Sequence, residues 1–157
     1  MKHRSIFWAV TMLLLTLPSM AQTAKLCTLK SPDGKATVTV ETLTDGVPSF
    51  SLTVDGTSVI SQSRMAFRTA QGNVPGTGWQ QDKLKKSKHK GVWKPIWGKR
   101  AVVPEVYNAV TIPYSQGSQS ISLELRAYND GMAWRCTNEK GETTWTETSN
   151  FNFAGDY

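Results

Sequence analysis

Most of the chain beyond residue 22 alternates between apolar and polar positions, which is the pattern of half-buried β-strands. The clearest run covers residues 120–128, where one face carries Ile121, Leu123, Leu125 and Ala127 and the other carries Ser122, Glu124, Arg126 and Tyr128. Asn129-Asp130-Gly131 supplies residues that tolerate positive φ, and residues 132–136 then return. Residues 120–136 therefore predict a β-hairpin whose turn includes Asn129, Asp130 and Gly131.

Similar short runs divide most of the remaining chain. The early runs span residues 25–30, 36–42, 48–54 and 57–61, separated by Ser31-Pro32-Asp33-Gly34, Thr44-Asp45-Gly46 and Asp55-Gly56. Later runs span residues 92–97, 105–112 and 143–153. Helical periodicity over three turns occurs nowhere except near the amino terminus. The pattern predicts an all-β fold, an antiparallel β-sandwich that begins with a meander.

Residues 69–91 interrupt this pattern and predict a long loop. The segment contains four glycines, one proline and a cluster formed by Lys83, Lys85, Lys86, Lys88 and Lys90. Such a cluster is compatible with nucleic acid or anionic lipid, but no aromatic residue lies between the lysines. We expect a solvated loop, and neither a nucleic-acid partner nor a membrane partner for the mature chain.

The first 21 residues have the composition of a signal peptide. Lys2, His3 and Arg4 form a basic start, residues 6–17 are apolar apart from two threonines, and Ser19-Met20-Ala21 suits a cleavage site. The apolar run is shorter than the roughly 20 residues that a transmembrane helix needs, although an amino-terminal membrane anchor is the alternative. We expect cleavage before Gln22, export to the periplasm and a mature domain formed by residues 22–157.

Cys27 and Cys136 are the cysteines of the chain. Export to an oxidising compartment would permit a disulfide between them, and that disulfide would close a loop of about a hundred residues, worth about 4–5 kcal/mol in the chain-entropy model. Two buried, unpaired thiols are the equal alternative, because the spacing fits neither a metal site nor a Cys-x-x-Cys motif.

The chemistry of the mature chain excludes several classes of enzyme. His89 is its only histidine, so a multi-histidine metal site is excluded and a Ser-His-Asp triad could use only that residue. No phosphate-binding loop or dinucleotide fingerprint is present. The twelve acidic residues could supply a glycosidase acid/base pair, but spacing along strands does not identify the pair.

The tryptophans are the best candidates for ligand contact. Trp93 and Trp97 frame the segment VWKPIWGKR at residues 92–100, and flat aromatic faces commonly stack on the apolar side of a sugar ring. The alternative is that both are buried in the sandwich or cap a sheet edge. The alternation points Trp134 inward together with Met132 and Cys136, so we expect this tryptophan in the core.

Four segments in order resemble the N-terminal domain of glycoside hydrolase family 97. They are KPIWGKR (94–100), VYNAVTI (106–112), RAYNDGMAWR (126–135) and FNFAGDY (151–157), and the opening SPDGK and the signal peptide fit as well. The resemblance covers essentially the whole mature chain. It implies a β-super-sandwich of the galactose-mutarotase type that precedes a (β/α)₈ barrel, in periplasmic enzymes that hydrolyse α-glucosidic or α-galactosidic bonds with retention or inversion.

This chain also departs from the family pattern. Lys99 and Ala109 stand where the family often carries glutamates. The family's active site depends on calcium, and both its calcium-binding residues and its catalytic carboxylates come from parts that follow FNFAGDY. The resemblance therefore implies an incomplete sandwich with no catalytic residue, no metal ligand and no cofactor of its own, while calcium is expected in a full-length enzyme.

Three functional interpretations follow. The chain is the leading, non-catalytic part of a family 97 glycosidase, with a C-terminal catalytic barrel and an oligosaccharide as its partners. Alternatively, it is a stand-alone periplasmic carbohydrate-binding sandwich that uses Trp93 and Trp97. A structural or adhesion sandwich without a small ligand rests on fold class alone.

Overall fold

The computed structural model describes residues 23–140 and 145–156, and the predicted signal peptide and its cleavage site lie outside them. This part of the chain is built of β-strands and contains no helix, and accordingly none that could cross a membrane. The strands are β1 (Ala24–Lys30), β2 (Ala36–Thr42), β3 (Pro48–Val54), β4 (Thr57–Arg64), β5 (Phe67–Thr69), β6 (Gly72–Val74), β7 (Gln80–Gln81), β8 (Lys85–Trp93), β9 (Val103–Gln116), β10 (Gln119–Tyr128), β11 (Gly131–Lys140) and β12 (Thr146–Glu147). The predicted all-β, antiparallel fold is confirmed.

The first sheet is the predicted meander, with strand order β1-β2-β3-β4. Its last hairpin turns through Asp55 and Gly56, which have φ of 48° and 81°, between the paired residues Val54 and Thr57. Positive φ at both central residues is the geometry that matches the twist of the flanking strands, and Asp-Gly adopts it readily. The sequence signal and the observed turn therefore agree.

The second sheet has the order β11-β10-β9, and β7 and β8 both pair with β9. The predicted hairpin is present: Tyr128 pairs with Gly131, and Asn129 and Asp130 form the turn. The prediction that this turn uses positive φ is wrong. Among the described residues, Asp55 is the only non-glycine residue with positive φ, so Asn129 and Asp130 have negative φ, and the φ of Gly131 is not positive either. The side chain of Asn129 has another role, since its Oδ1 accepts a hydrogen bond from the backbone N–H of Asp33 at 3.1 Å.

A short third sheet, β12-β5-β6, and the segment 148–154 complete the described chain. This segment follows the outer edge of β4: the backbone N–H of Ser61 donates to the carbonyl of Asn152 at 2.8 Å, and the Asn152 side chain donates to the carbonyl of Gln62 at 2.7 Å. Ile60 and Phe153 form an isolated bridge. Residues distant in sequence thus cover a sheet edge that would otherwise present unpaired backbone groups.

The core lies between the first two sheets. The first sheet contributes Cys27, Leu29, Val38, Val40, Phe50, Leu52 and Ile60, and the second contributes Val110, Ile112, Tyr114, Ile121, Leu123, Leu125 and Ala127. These positions alternate along their strands, so each sheet buries one face against the other. Trp134, Met132 and Cys136 pack against this core, which confirms the inward direction predicted from the alternation, but all three are only partly buried.

Two predictions on element boundaries are wrong. Residues 69–91 are not one long loop, because β6, β7 and most of β8 lie within them. The lysines did not prevent a strand: β8 pairs with β9 along its whole length through backbone hydrogen bonds, and its lysine side chains extend into solvent. The runs 92–97 and 143–153 are mostly not strand, since β8 ends at Trp93 and β12 covers only two residues. Residues 141–144 lie outside the described part.

Candidate functional site

Seven polar and aromatic side chains lie close together on the outer face of the second sheet, the face turned away from the core. We call them the outer-face cluster: His89, Glu105, Tyr107, Glu124, Arg126, Tyr128 and Arg135. They come from four adjacent strands, and the pairing register sets His89 opposite Tyr107 and Glu124 opposite Arg135. The same alternation that buries Leu123 and Leu125 places Glu124 and Arg126 on this face.

Glu124 is held by two arginines. Its Oε1 accepts a hydrogen bond from Nε of Arg126 at 2.8 Å, and its Oε2 accepts one from Nε of Arg135 at 2.7 Å. Burial raises the pKa of Glu124, but the hydrogen bonds from Arg126 and Arg135 outweigh it, so the pKa lies below its usual value. The hydrogen bond to Glu124 in turn raises the pKa of Arg126. The group is a carboxylate at neutral pH and cannot serve as a proton donor.

Tyr107 is the aromatic centre of the cluster. Its ring stacks on the His89 imidazole at a centroid separation of 4.9 Å and contacts the Tyr128 ring at 5.1 Å. The Arg126 guanidinium carbon lies 4.5 Å from the Tyr107 ring centroid, which is a cation–π contact. The face of Tyr107 is thus occupied by groups of the protein itself.

Glu105 connects His89 to Arg126. Its Oε2 is 3.4 Å from Nε2 of His89, and its Oε1 is 3.7 Å from Nη1 of Arg126. Gly91, which pairs with Glu105, permits this arrangement. A β-carbon on Gly91 would lie 2.9 Å from Nε2 of His89, so the imidazole passes through the space that a side chain would fill.

The cluster is better suited to holding the sheet together than to binding a whole sugar. The cleft beside it, lined by Glu124, Arg126, Tyr128 and Arg135 among others, has a volume of about 120 Å³. Sites for small organic ligands usually have about 300–1,000 Å³. Both carboxylates of the cluster are already paired with arginines, Glu105 with Arg126 and Glu124 with Arg126 and Arg135.

Clusters of acidic, histidine or cysteine side chains that could hold a metal ion are absent from the described residues. Calcium takes six to eight oxygen ligands, largely from carboxylates and carbonyls. No group of three or more His, Cys, Asp or Glu side chains with metal-binding geometry occurs in ranges 23–140 and 145–156, and guanidinium groups already occupy Glu124. The calcium that the resemblance implies for a full-length enzyme stays a prediction.

Trp93 and Trp97 are both exposed. Trp93 ends β8 with 59% of its surface accessible, and the register places it on the outer face, two positions beyond Gly91. Trp97 is 88% exposed in residues 94–102, the hairpin tip that joins β8 to β9. The burial alternative is thus wrong for both, and neither belongs to the outer-face cluster as defined by its contacts.

Cys27 and Cys136 are free thiols in the structure, so the disulfide considered above is not formed in it. Cys27 lies on β1, which packs against β9 and β10, whereas Cys136 lies on the edge strand β11 opposite Leu123. Burial raises the pKa of Cys27 and raises the pKa of Cys136 to about 12. Both thiols are therefore protonated at neutral pH and react slowly as nucleophiles.

The sequence interpretation missed the outer-face cluster. The pattern around His89 predicts a solvated loop, and the alternation of Glu124, Arg126 and Tyr128 by itself predicts only a hairpin. The signal that could have revealed the cluster is the pairing of two motifs: aligning VYNAVTI with RAYNDGMAWR as neighbouring antiparallel strands brings Tyr107 beside Tyr128.

The chain matches the family model described as glycosyl-hydrolase 97 N-terminal over residues 29–157. Solved structures with a similar fold include the following two. A glycoside hydrolase family 97 enzyme from Pseudoalteromonas sp. strain K8, solved with panose, is 23% identical with a TM-score of 0.67, over 82% of this chain and 20% of that one. A β-arabinopyranosidase is 19% identical with a TM-score of 0.65, over 81% and 21%.

A retaining alpha-galactosidase of Bacteroides thetaiotaomicron is 30% identical to the chain over 148 residues, which are 91% of this chain and 21% of that protein. The chain thus spans about a fifth of the length of the relatives that it matches. Because the family model covers nearly all of the described sandwich, the chain belongs to the glycosyl-hydrolase 97 N-terminal family.

Proposed function

We propose that this chain is the N-terminal β-sandwich of a periplasmic glycoside hydrolase that acts on α-glucosidic or α-galactosidic bonds. The sandwich contacts carbohydrate and supports a C-terminal catalytic barrel, and it does not catalyse hydrolysis. Family membership supports the hydrolase class, and the retaining alpha-galactosidase is the relative that supports the α-linked substrates.

The ion pairs of Asp45, Glu105 and Glu124 with arginine side chains are the observation that carries the non-catalytic role. Glycoside hydrolysis needs one carboxyl group that is protonated at working pH beside a second that is ionised. In the described part of the chain, the carboxyl groups whose pKa departs from its usual value are Asp33, Asp45 and Glu124, and all three are shifted downward. None of these can act as the acid.

An activity assay tests this proposal. The purified mature chain is incubated with nitrophenyl α-glucoside and nitrophenyl α-galactoside, with and without calcium. We expect no hydrolysis above a protein-free blank. Turnover that survives repurification and disappears in a Glu105→Gln or Glu124→Gln variant would overturn the non-catalytic role. The reading frame beyond Tyr157 provides a second test, because an in-frame barrel is expected there.

The exposure of Trp93 and Trp97 favours a second function, a stand-alone carbohydrate-binding sandwich. Tryptophan fluorescence is titrated with maltose-type and galactose-type oligosaccharides. Binding should change the emission of the wild-type chain and of a Trp79→Phe control, because Trp79 packs against the core. Binding should be lost in Trp93→Ala and Trp97→Ala. A flat wild-type response would exclude carbohydrate contact by this chain alone and leave the supporting role.

A further inference from the structure

Residues 83–104 form a cationic segment without a single acidic residue. Eight cations lie in it, namely Lys83, Lys85, Lys86, Lys88, Lys90, Lys94, Lys99 and Arg100. Every one of these side chains is exposed. In the ranges that the structure describes, none of them belongs to an ion pair. In the neighbouring outer-face cluster, by contrast, both carboxylates form ion pairs with arginines. The segment therefore concentrates uncompensated positive charge on β8 and on the residues that flank it.

A groove collects part of this charge. It has a volume of about 470 Å³ and opens between the edge strands of the two main sheets, with Lys30 on the β1 side and Lys86 and Lys88 on the β8 side. Thr28, Ser87 and Asn108 contribute polar groups, and no carboxylate lines the groove. The Asn108 amide donates to the carbonyl of Lys30 at 2.8 Å, which fixes one wall against the other. Low-dielectric walls lined by one sign of charge focus the field on an anion.

The lysines on this side of β8 are regularly spaced. Alternate residues of a strand share a face and repeat about every 6.7 Å, so Lys86, Lys88 and Lys90 form a row about 13 Å long. A linear polymer with an anionic group on successive units can place those groups along such a row. We propose that the groove binds an acidic polysaccharide, through carboxylate or sulfate groups that contact Lys30, Lys86 and Lys88.

We choose a polysaccharide from among the possible polyanions because the proposed function has this sandwich in contact with carbohydrate, and the inference rests on that proposal. Two other roles for the lysines fit the geometry less well. Lysines protect an exposed strand edge from pairing, but that role requires neither a groove nor a matching lysine on the opposite sheet. A bilayer surface is flat and would meet the exposed hairpin tip with Trp97 rather than a recess between two sheets.

The test is binding of the mature chain to polygalacturonate and heparin by calorimetry, with uncharged dextran as the neutral polymer. We expect binding to both acidic polymers, with an affinity that falls as sodium chloride is raised because counterions are displaced. Lys86→Gln/Lys88→Gln should weaken binding about tenfold at low salt. Lys35→Gln/Arg68→Gln removes the same charge from exposed sites outside the groove and should change binding less than twofold. Thermal melts verify that both variants fold.

Four results would overturn the proposal. Equal losses in the two double variants would show that net charge alone attracts the polymer. Binding to vesicles of phosphatidylglycerol and phosphatidylcholine without binding to either acidic polymer would assign the lysines to a lipid surface. Dextran could bind as strongly as polygalacturonate, with an affinity that does not change with salt. That result would show that the chain contacts carbohydrate but does not select acidic polysaccharides. If the chain bound no glycan, neither the acidic polymers nor neutral oligosaccharides, the proposed contact with carbohydrate would be rejected as well.

Discussion

The imidazole of His89 lies across Gly91, with Nε2 2.9 Å from the position that a β-carbon on Gly91 would occupy. From there it reaches Oε2 of Glu105 at 3.4 Å. Gly91→Ala should therefore displace His89 from Glu105 and change the NMR signals of the imidazole. The change in the free energy of unfolding should stay within about 1 kcal/mol, because the clashing atom is the end of a movable side chain and a glycine within a strand is itself unfavourable.

Gly34→Ala is the matched control for this substitution. No atom lies within 4 Å of a β-carbon there, but φ is +78°, so the cost is backbone strain. We expect a loss of stability of about 1 kcal/mol and unchanged signals from His89. If Gly91→Ala left the imidazole signals as they are, the proposed displacement would be wrong.

Removing the carboxylate of Glu124 should destabilise the fold. Glu124→Ala removes the acceptor that Arg126 and Arg135 share, while Arg126 keeps its ion pair with Glu105. Hydrogen bonds to charged groups contribute about 1.5–3 kcal/mol each. Because Arg135 is 65% exposed and easily rehydrated, we expect a total loss of about 2–3 kcal/mol in urea denaturation. Glu147→Ala, at an exposed position of β12, should change stability by less than about 0.5 kcal/mol.

The lowered pKa of Glu124 fixes the pH dependence of this contribution. A carboxyl group whose pKa is lower in the folded state stabilises the fold above its unfolded pKa, here an ordinary value of 4.5, and loses that effect as the pH falls through the lower folded pKa. The stability of the wild-type chain should thus decline below about pH 4.5 more steeply than that of Glu124→Gln. Parallel curves of unfolding free energy against pH would contradict the assignment.

The two cysteines should react slowly in the folded protein. Burial raises the pKa of Cys136 to about 12 and also raises that of Cys27, so little thiolate exists at pH 8. Iodoacetamide should label neither residue appreciably in the native state and both residues in urea, as mass spectrometry can measure. A mass two daltons lower, with no labelling in urea until a reductant is added, would instead reveal a disulfide.

Tyr114→Phe should not destabilise the protein. The Tyr114 hydroxyl is buried, and it has no hydrogen-bond partner within the part of the chain that the structure describes. Burial without a partner carries a desolvation cost, so removing the oxygen should be neutral or stabilise the fold by up to about 1 kcal/mol. Urea denaturation measures the difference, and a loss above 1 kcal/mol would indicate that the hydroxyl has a partner in solution.

The sequence predicted those parts of the fold that depend on neighbours along the chain. The strands at residues 36–42 and 48–54, the Asp55-Gly56 turn and the 120–136 hairpin all follow from local alternation and turn chemistry, and the structure contains them. Local sequence does not predict β8, because its lysines and its glycine have low strand preference. Its pairing with the long strand β9 outweighs that preference.

The candidate site depended on pairing register and was largely unpredicted. His89 gains its role only because β8 sets it opposite Tyr107, and Glu124 meets Arg135 only across the β10–β11 hairpin. A single sequence shows which residues share a face of one strand, but it does not show which strands lie side by side. For that reason residue type alone points to Trp93 and Trp97 as the candidate site and does not reveal the outer-face cluster.

The covering of β4 by residues 148–154 has a consequence for folding during synthesis. The first sheet can form as a meander once Arg64 has been made, but its outer edge receives the Asn152 carbonyl and side chain only about 90 residues later. Contacts this distant in sequence form slowly, and an uncovered edge meanwhile can pair with another chain. A nascent chain of this protein should therefore be most vulnerable to aggregation in the interval between those two points, and a chaperone that shields β4 would act there.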